Sequence, residues 1–378
     1  MKKIQMVDLK SQYDKIAVTV NASIQNVLDT NTYINGPQVH QFQKSLENYL
    51  DVKHVIPCAN GTDALQIAMM GLDLQPGDEV ITADFTFAAT VEVIALLQLT
   101  PVLVDVDIDT MNISLERIKA AITPKTKAIV PVHLFGRAAN MEAIMELAKE
   151  HNLYVIEDNA QAIGADFSSN TAKYKVGTIG HIGATSFFPS KNLGCYGDGG
   201  AIFTNDDALA HTVRGIVNHG MYERYHHDVV GVNSRLDSIQ AAVLNAKMPF
   251  LDDYNAARRT AAAKYNTALA SHVNIVTPSF DSNENNHVFH QYTLRIINAN
   301  RNGLMQHLLD KGIPCAIYYP IPLHSQKAYV DVRYKEEDFP ITNQLVQEVL
   351  SLPMHTELED EQIQFITDSI LEFLNKQS

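Results

Sequence analysis

Lys191 lies among small, apolar and aromatic residues, directly before a glycine-rich run from Gly194 to Gly200. Burial in such surroundings disfavours the charged ammonium, so the pKa of the amine should fall toward the range where a neutral nucleophile exists near pH 7. A neutral lysine amine can form a Schiff base with a carbonyl compound. The alternative is an ordinary surface lysine, and partners elsewhere in the chain must decide between the two.

The first candidate partner is Asp158, which ends the apolar run that begins at Tyr154. The run is typical of a buried parallel strand, and ligands of open α/β sheets bind at the carboxyl ends of such strands. A carboxylate there could hold the ring nitrogen of pyridoxal phosphate protonated and so strengthen the cofactor as an electron sink. A helix N-cap is the alternative role for this aspartate.

The second candidate is the segment from Cys58 to Met70, which turns from an extended stretch into a helix. Gly61 allows the backbone to approach a ligand, and Thr62 and Asp63 occupy the helix start. Free amide groups and the helix dipole suit a phosphate there, with the Thr62 hydroxyl as a further donor. We expect Asp63 to face away from that phosphate, and a plain N-cap is again the alternative.

Seven segments of the chain together resemble the DegT/DnrJ/EryC1/StrS family of sugar-nucleotide aminotransferases, which are pyridoxal-phosphate enzymes of fold type I. The resemblance runs from Val7 to His355, and the segments stand in the family's order. They are 60–64, 85–90, 157–161, 186–191, 197–201, 233–237 and 319–324.

The resemblance implies a role for each matching residue. Lys191 would carry the cofactor as a Schiff base and move a proton between two carbon atoms, while Asp158 would pair with the ring nitrogen. Gln161 would bond the phenolic oxygen, and Phe87 would stack on the ring, with core packing as the alternative for Phe87. The phosphate would be held by Gly61, Thr62 and Ser186, with Asp63 beside them, and by Asn233 of a neighbouring subunit.

Because two chains would then build each site, the resemblance implies a homodimer with shared active sites. The reaction would be a ping-pong transamination in which L-glutamate leaves as 2-oxoglutarate and a keto sugar nucleotide becomes an amino sugar for a cell-surface polysaccharide such as lipopolysaccharide. Substrate-binding candidates are His133, His219, Tyr222, Tyr318 and His324, with Arg137, Tyr225 and Tyr319 as further polar or aromatic groups.

The chain is most similar in appearance to family members that act on UDP-linked 3-keto N-acetylhexosamines, including a uronic acid. In that subgroup an arginine just before the segment matching 231–233 serves the substrate carboxylate, whereas Asp228, Val229 and Val230 stand here. A neutral 3-keto or 4-keto sugar is therefore at least as consistent with the sequence. A dTDP-linked keto-deoxysugar is the alternative substrate.

Composition restricts the classes of protein. The chain has 378 residues, of which 46% are hydrophobic, so it can bury a large core. Its net charge of −14 argues against nucleic-acid binding. The three cysteines form no C-x-x-C pair, no apolar signal region follows Met1 to Asp8, and no stretch approaches a membrane span, so we expect a cytoplasmic location and no membrane contact.

Three competing motifs are weaker. The run from Gly194 to Gly200 lacks the G-x-G-x-x-G spacing of a dinucleotide loop. Histidines 219, 226 and 227 with Asp228 lack a second ligand pair, so no metal site is expected. Cys195 has no dedicated base and is a poor candidate nucleophile.

Apolar β-branched runs alternate with helical patterns, which indicates an α/β fold with helices on both faces of a mixed sheet. The resemblance implies a mostly parallel seven-stranded sheet in a large pyridoxal-phosphate-binding domain over residues 1–250. A smaller C-terminal α+β domain would cover residues 251–378, with the N-terminal segment packing on it. Predicted strands are 79–82, 100–106, 128–133, 154–157, 184–188, 201–204 and 291–297, and predicted helices are 141–151, 258–270, 302–311 and 359–374.

Two other classes share this fold. A dehydratase relative uses the same cofactor but has histidine in place of the Schiff-base lysine, so Lys191 argues against it. A non-catalytic regulatory relative should have lost Lys191, Asp158 or the phosphate site, and all three are present.

Overall fold

The computed structural model describes residues 2–169, 172–279 and 285–376. The strands are β1 His54–Cys58, β2 Glu79–Ala83, β3 Thr100–Val104, β4 Thr126–Val130, β5 Tyr154–Asp158, β6 Asp166–Ser168, β7 Lys173–Lys175, β8 Ile182–Ser186, β9 Gly200–Thr204, β10 Met221–Glu223, β11 His226–His227, β12 Ile275–Val276, β13 Tyr292–Ile296 and β14 Val349–Leu352.

Twelve α-helices are interspersed with these strands along the described chain. They are α1 Leu9–Thr30, α2 Pro37–Leu50, α3 Gly61–Gly71, α4 Ala89–Leu96, α5 Leu115–Ala121, α6 Met141–His151, α7 Asp207–Ile216, α8 Ser238–Lys247, α9 Leu251–Leu269, α10 Arg301–Asp310, α11 Pro340–Glu348 and α12 Asp360–Asn375. None of the described helices combines the length and the apolar character needed to cross a membrane.

The main sheet has seven strands in the order β1-β9-β8-β5-β4-β2-β3. Only β9 runs antiparallel to its neighbours in this sheet, because β1 and β8 both pair with it in the antiparallel sense and the remaining pairs are parallel. The mostly parallel seven-stranded sheet that the family resemblance implies is confirmed. The carboxyl ends of β1, β8, β5 and β2 consequently meet at one edge.

Helices cover both faces of this sheet because successive strand residues point to opposite sides. On β4, Ala128 and Val130 belong to the buried cluster that includes α3 and α7, whereas Ile129 belongs to the cluster that includes α5 and α6. Strands that are buried on both faces are apolar throughout, which is why the sequence shows them as continuous apolar runs.

A second core lies in the C-terminal part of the chain. Strands β12, β13 and β14 form a three-stranded antiparallel sheet, and their apolar faces pack with α9, α10 and α12. Ile4 is buried in the same cluster, so the N-terminal segment contacts this region. The division at residue 250 stays a prediction.

The chain after β13 also returns to the main sheet. Leu345 and Val346 of α11 are buried in the core cluster that includes α5 and α6, and Leu323 and Phe339 pack on Val91 and Leu103. The segment from 318 to 348 therefore brings C-terminal residues against the sheet edge where the strands end.

Candidate active site

A cavity of about 880 Å³ opens at the carboxyl edge of the main sheet. It brings together eight of the nine residues predicted to bind the cofactor, and these are Gly61, Thr62, Asp63, Phe87, Asp158, Gln161, Ser186 and Lys191. Tyr318 and Tyr319 also line it. Parallel strands place residues from distant parts of the chain at one edge, which explains why these segments converge.

Lys191 lies in the loop between β8 and β9, where its backbone N–H donates to Phe188 O at 2.8 Å. Burial lowers the pKa of its amine to about 8, and the negative charge of Asp158 opposes that shift. A pKa of about 8 leaves roughly a tenth of the amine neutral at pH 7. The side chain thus has the property that Schiff-base chemistry requires.

Asp158 is the last residue of β5, and its side chain is buried. Its Oδ2 accepts a hydrogen bond of 2.8 Å from Thr90 Oγ1, and its Oδ1 accepts from the Ala160 N–H at 3.1 Å. The residues after Asp158 form turns, so it does not cap a helix. A buried, fixed carboxylate facing a cavity can pair with a protonated ring nitrogen.

The amino end of α3 approaches the end of β8 closely at Gly61. A Cβ atom at Gly61 would lie 2.7 Å from Ser186 Cβ, closer than real contacts allow. Asn60 caps the helix by accepting from the Asp63 N–H at 2.8 Å. Free backbone N–H groups, Thr62 and Ser186 therefore surround one point that suits a phosphate.

Asp63 lies in the first turn of α3, as expected, and the N-cap is Asn60, whose extended backbone lets its side-chain oxygen reach the amide of Asp63. The expected direction of the Asp63 side chain needs correction. Asp63 is one of the residues that line the cavity, whereas we expected it from the sequence to face away.

Gln161 is buried, whereas Phe87 is exposed in the cavity. Gln161 Oε1 accepts from the Phe135 N–H at 2.6 Å, and Nε2 donates to Tyr319 Oη at 3.0 Å. Phe87 is 58% exposed, with its ring centroid 6.2 Å from that of Tyr319. Core packing therefore does not explain Phe87, and its face is open to a ligand ring.

Of the five substrate-binding candidates, only Tyr318 lines the cavity. His133 is fully buried behind it, with Nε2 at 3.0 Å from Glu157 Oε2 and Nδ1 accepting from the Ala139 N–H at 3.1 Å. The position of His133 gives no support for substrate contact, because both ring nitrogens are engaged in the protein interior.

The other three candidates also lie apart from the cavity. Tyr222 stacks on His211 at 4.2 Å, and the His219 carbonyl pairs with His227 Nδ1 at 2.8 Å beside the hairpin of β10 and β11. His324 is buried against Asp84. Tyr225 is 75% exposed, and Arg137 contacts Ser279.

Asn233 is exposed and lies in a second hollow of about 460 Å³. Asn60 and Asp198 line both this hollow and the main cavity, so the two spaces adjoin. Arg235 lies in the second hollow as well. A role for Asn233 at the phosphate of a neighbouring subunit stays a prediction.

Three cavity residues escaped the sequence analysis. Thr86 Oγ1, His290 Nδ1 and Gln291 Oε1 are buried and have no hydrogen-bond partner among the described residues. Burial holds the pKa of His290 well below its usual value, and the Lys191 ammonium adds to that effect. Thr86 lies within the family-like segment 85–90 but received no role there, whereas no local sequence signal marks His290 and Gln291 as site residues, because long-range folding brings them to the cavity.

The glycine-rich run and Cys195, which the sequence offered as a dinucleotide loop and a nucleophile, have packing roles in the fold. In the glycine-rich run, a Cβ at Gly200 would lie 2.4 Å from Asn60 O, so the run allows close backbone packing. Burial raises the pKa of the Cys195 thiol to about 11, which disfavours the nucleophilic thiolate. Within the described ranges, no three His, Cys, Asp or Glu side chains are grouped so that they could hold a metal ion.

Comparisons with known proteins identify the family of this chain. The model of the DegT/DnrJ/EryC1/StrS aminotransferase family matches residues 14–371. The chain is 46% identical to the UDP-2-acetamido-2-deoxy-3-oxo-D-glucuronate aminotransferase of Pseudomonas aeruginosa, over 96% of this chain and 98% of that protein. It is 45% identical to the UDP-N-acetyl-3-dehydro-alpha-D-glucosamine 3-aminotransferase of Acidithiobacillus ferrooxidans, over 95% of each.

A further relative, the pleiotropic regulatory protein of Geobacillus stearothermophilus, is 45% identical over 98% of each chain. Among solved structures, a DegT DnrJ EryC1 StrS aminotransferase from Brucella abortus has a TM-score of 0.93 and 43% identity, covering 98% of this chain and 99% of that one. NtdA from Bacillus subtilis, solved with its cofactor PMP, has a TM-score of 0.91 and 30% identity, covering 99% of this chain and 86% of that one. This chain belongs to the DegT/DnrJ/EryC1/StrS aminotransferase family.

Proposed function

We propose that this protein is a pyridoxal-phosphate-dependent aminotransferase that moves an amino group from L-glutamate to a keto sugar nucleotide. The observation that carries the proposal is the half-buried Lys191, whose amine has a pKa lowered to about 8 and which lines the same cavity as Asp158 and the amino end of α3. Pyridoxal phosphate, when bound, supplies an aldehyde for the lysine and a ring that takes up electrons.

The residues present fit this cofactor. Gly61, Thr62 and Ser186 would bind its phosphate, since the missing Cβ at Gly61 lets α3 approach β8 closely. Asp158 would pair with the ring nitrogen because its carboxylate is already held by Thr90. The exposed face of Phe87 would stack on the ring, and Gln161 would bond the phenolic oxygen.

Lys191 would act as the base and acid that moves a proton between two carbon atoms. A lysine with a pKa of about 8 can both take up and release a proton near neutral pH, which an unshifted lysine does poorly. The same side chain would return the proton in the second half-reaction, in which the keto sugar becomes an amino sugar.

For the acceptor, a UDP-linked 3-keto N-acetylated sugar has the best support. Relatives named for two such substrates are 45–46% identical to this chain, while relatives named for dTDP-linked sugars are 36–38% identical. No arginine stands at Asp228, Val229 or Val230 to bind a uronic acid carboxylate, which favours a neutral sugar. The product would be an amino sugar for a cell-surface polysaccharide.

Charge supports a homodimer with shared sites. Among the described cavity residues, Lys191 is the one lysine or arginine, and it faces Asp63, Asp158 and Asp198. The cofactor phosphate, glutamate and a nucleotide diphosphate are all anions, so one chain alone lacks the cations to balance them. Asn233 and Arg235, exposed or half-buried in the adjoining hollow, are suited to complete a neighbour's site.

Cysteine chemistry supports a cytoplasmic location. Cys58, Cys195 and Cys315 are buried free thiols in the described chain, as is usual in a reducing compartment.

The test is an absorbance spectrum of the purified protein with pyridoxal phosphate, before and after adding L-glutamate. We expect a visible band that moves to the near ultraviolet with glutamate and returns when the correct keto sugar nucleotide is added. Lys191→Ala should keep the dimer and lose turnover. Absence of the band in excess cofactor would overturn the proposal and favour a non-catalytic role, which the regulatory relative makes the second candidate.

A further inference from the structure

His324 forms a buried connection with Asp84, outside the cavity. The His324 backbone N–H donates to Asp84 Oδ1 at 2.7 Å, and its Nδ1 lies 2.8 Å from Asp84 Oδ2. Nε2 lies 3.2 Å from Glu336 Oε2, and the ring stacks on Phe339 with 4.4 Å between centroids. Every polar atom of the imidazole is therefore engaged by the protein, and none is left for substrate.

The two partners lie next to two different walls of the cavity. Asp84 follows the last residue of β2 and precedes Phe87, which lines the cavity. His324 follows the cavity-lining segment 318–320 on the other side. The connection thus joins the wall that carries Phe87 to the wall that carries Tyr319.

The two walls meet through aromatic side chains. The ring centroid of Tyr319 lies 6.2 Å from that of Phe87 and 6.1 Å from that of Phe85. Tyr319 also accepts the Nε2–H of Gln161 at 3.0 Å. A change in the spacing of the walls would therefore move Phe87, Tyr319 and Gln161 relative to one another.

Electrostatics favours the connection. Burial alone would lower the pKa of His324, but its hydrogen bonds with Asp84 and Glu336 outweigh burial and raise the pKa. Burial raises the pKa of Asp84, and its hydrogen bonds with His324 oppose that shift.

We propose that His324 is a positioning residue, which sets the distance between the Phe87 and Tyr319 walls through its bonds to Asp84. The proposal rests on the proposed aminotransferase function, because it concerns how the cofactor ring and the amino donor are aligned. It replaces the expectation that His324 binds substrate directly.

Other contacts hold the surrounding segment in place without His324. Asp105 accepts from the N–H groups of Ile341 and Thr342 at 2.8 Å each. Tyr334 Oη accepts from the Leu103 N–H at 2.8 Å. Loss of the imidazole should therefore leave residues 334–342 docked and alter mainly the two walls.

The test compares His324→Phe with His324→Asn. Phenylalanine keeps the ring that stacks on Phe339 and loses both side-chain bonds, whereas the asparagine amide can still donate to Asp84. We expect His324→Phe to lower kcat by about 10- to 100-fold with little change in KM, because a misplacement of about 1 Å can cost that much. It should also weaken the circular dichroism of the bound cofactor. In His324→Asn, both kcat and the circular dichroism of the bound cofactor should be close to the wild-type values.

A cofactor-free readout separates this proposal from the proposed function. Hydrogen exchange in the apo-protein should become faster at 84–88 and 318–322 in His324→Phe, while Glu337→Gln, an exposed neighbour, behaves as wild type. If wild type shows no response to glutamate but exchange changes as expected, the proposed function fails, while the part of the proposal in which His324 sets the spacing of the two walls stands. Unchanged kcat, dichroism and wall exchange in His324→Phe, or no rescue by asparagine, would overturn the positioning role.

Discussion

The side chain of Thr90 donates a hydrogen bond to Asp158, with 2.8 Å between Oγ1 and Oδ2. Both side chains are buried, and the bond joins the first turn of α4 to the end of β5. The other carboxylate oxygen accepts from the Ala160 N–H. The orientation of Asp158 is therefore fixed by the protein before any ligand binds.

Removing the Thr90 hydroxyl should weaken cofactor binding. Thr90→Val keeps the shape of the side chain and loses a hydrogen bond to a charged group, which should cost the apo-protein about 1.5–3 kcal/mol of stability. Because Asp158 is then no longer held in one orientation, we also expect the Kd for pyridoxal phosphate, measured by titration of the apo-protein, to rise by roughly 10-fold. Thr90→Ser keeps the hydroxyl and is the control. Equal Kd values for all three proteins would show that Asp158 needs no such support.

Replacing Lys191 should stabilise the apo-protein while abolishing activity. Because burial lowers the pKa of Lys191 from 10.5 to about 8, the unfolded chain binds more protons between these values, and wild-type stability rises with pH there. Lys191→Met removes a half-buried ammonium, so at pH 7 the variant should be more stable by about 1–3 kcal/mol, a range reduced for the partial exposure of Lys191.

The measurement is urea unfolding of the two apo-proteins at pH 7 and at pH 10. The stability difference should shrink at the higher pH, where wild-type Lys191 is neutral in the fold. A difference that is absent at pH 7, or equal at both pH values, would contradict the lowered pKa.

Adding a methyl group at Gly61 should block the phosphate site. The new Cβ would lie 2.7 Å from Ser186 Cβ and 3.2 Å from Ser186 Cα, so α3 must move away from β8. We expect Gly61→Ala to raise the Kd for pyridoxal phosphate by at least about 10-fold, because the backbone N–H groups at the amino end of α3 would no longer point at the phosphate. Ser186→Ala, which keeps the Cβ and loses only one hydroxyl, should have the smaller effect. A larger rise in Kd for Ser186→Ala than for Gly61→Ala would show that the phosphate does not bind at the amino end of α3.

His133 should matter for stability and not for substrate binding. His133→Leu leaves Glu157 and the Ala139 N–H each without one buried partner, at a cost of about 2–4 kcal/mol in the free energy of unfolding. Glu157 keeps three backbone donors, the N–H groups of Gly177, Ile179 and Gly180, so the fold should survive. KM for the keto sugar should be unchanged, and a large rise in KM would restore His133 as a substrate residue.

Local sequence patterns predicted the scaffold well because they report on short-range physics. The continuous apolar runs around 128–133 and 154–157 indicated strands buried on both faces, and the structure has strands at Thr126–Val130 and Tyr154–Asp158. Helix α6 matches the predicted range 141–151. By contrast, the helix predicted at 258–270 begins at Leu251, since its first turns lack a clear apolar period.

The sequence by itself singled out Lys191, Asp158 and the start of α3 as residues that could carry chemistry, and the resemblance of seven segments to one family joined them into a single predicted site. Only the tertiary structure decided which polar residues face the cavity. His133 and His324 lie behind it, paired with Glu157 and Asp84, which are 24 and 240 residues away in sequence. Burial and pairing across such separations depend on how the sheet and the returning C-terminal segment pack, and no local pattern encodes that packing.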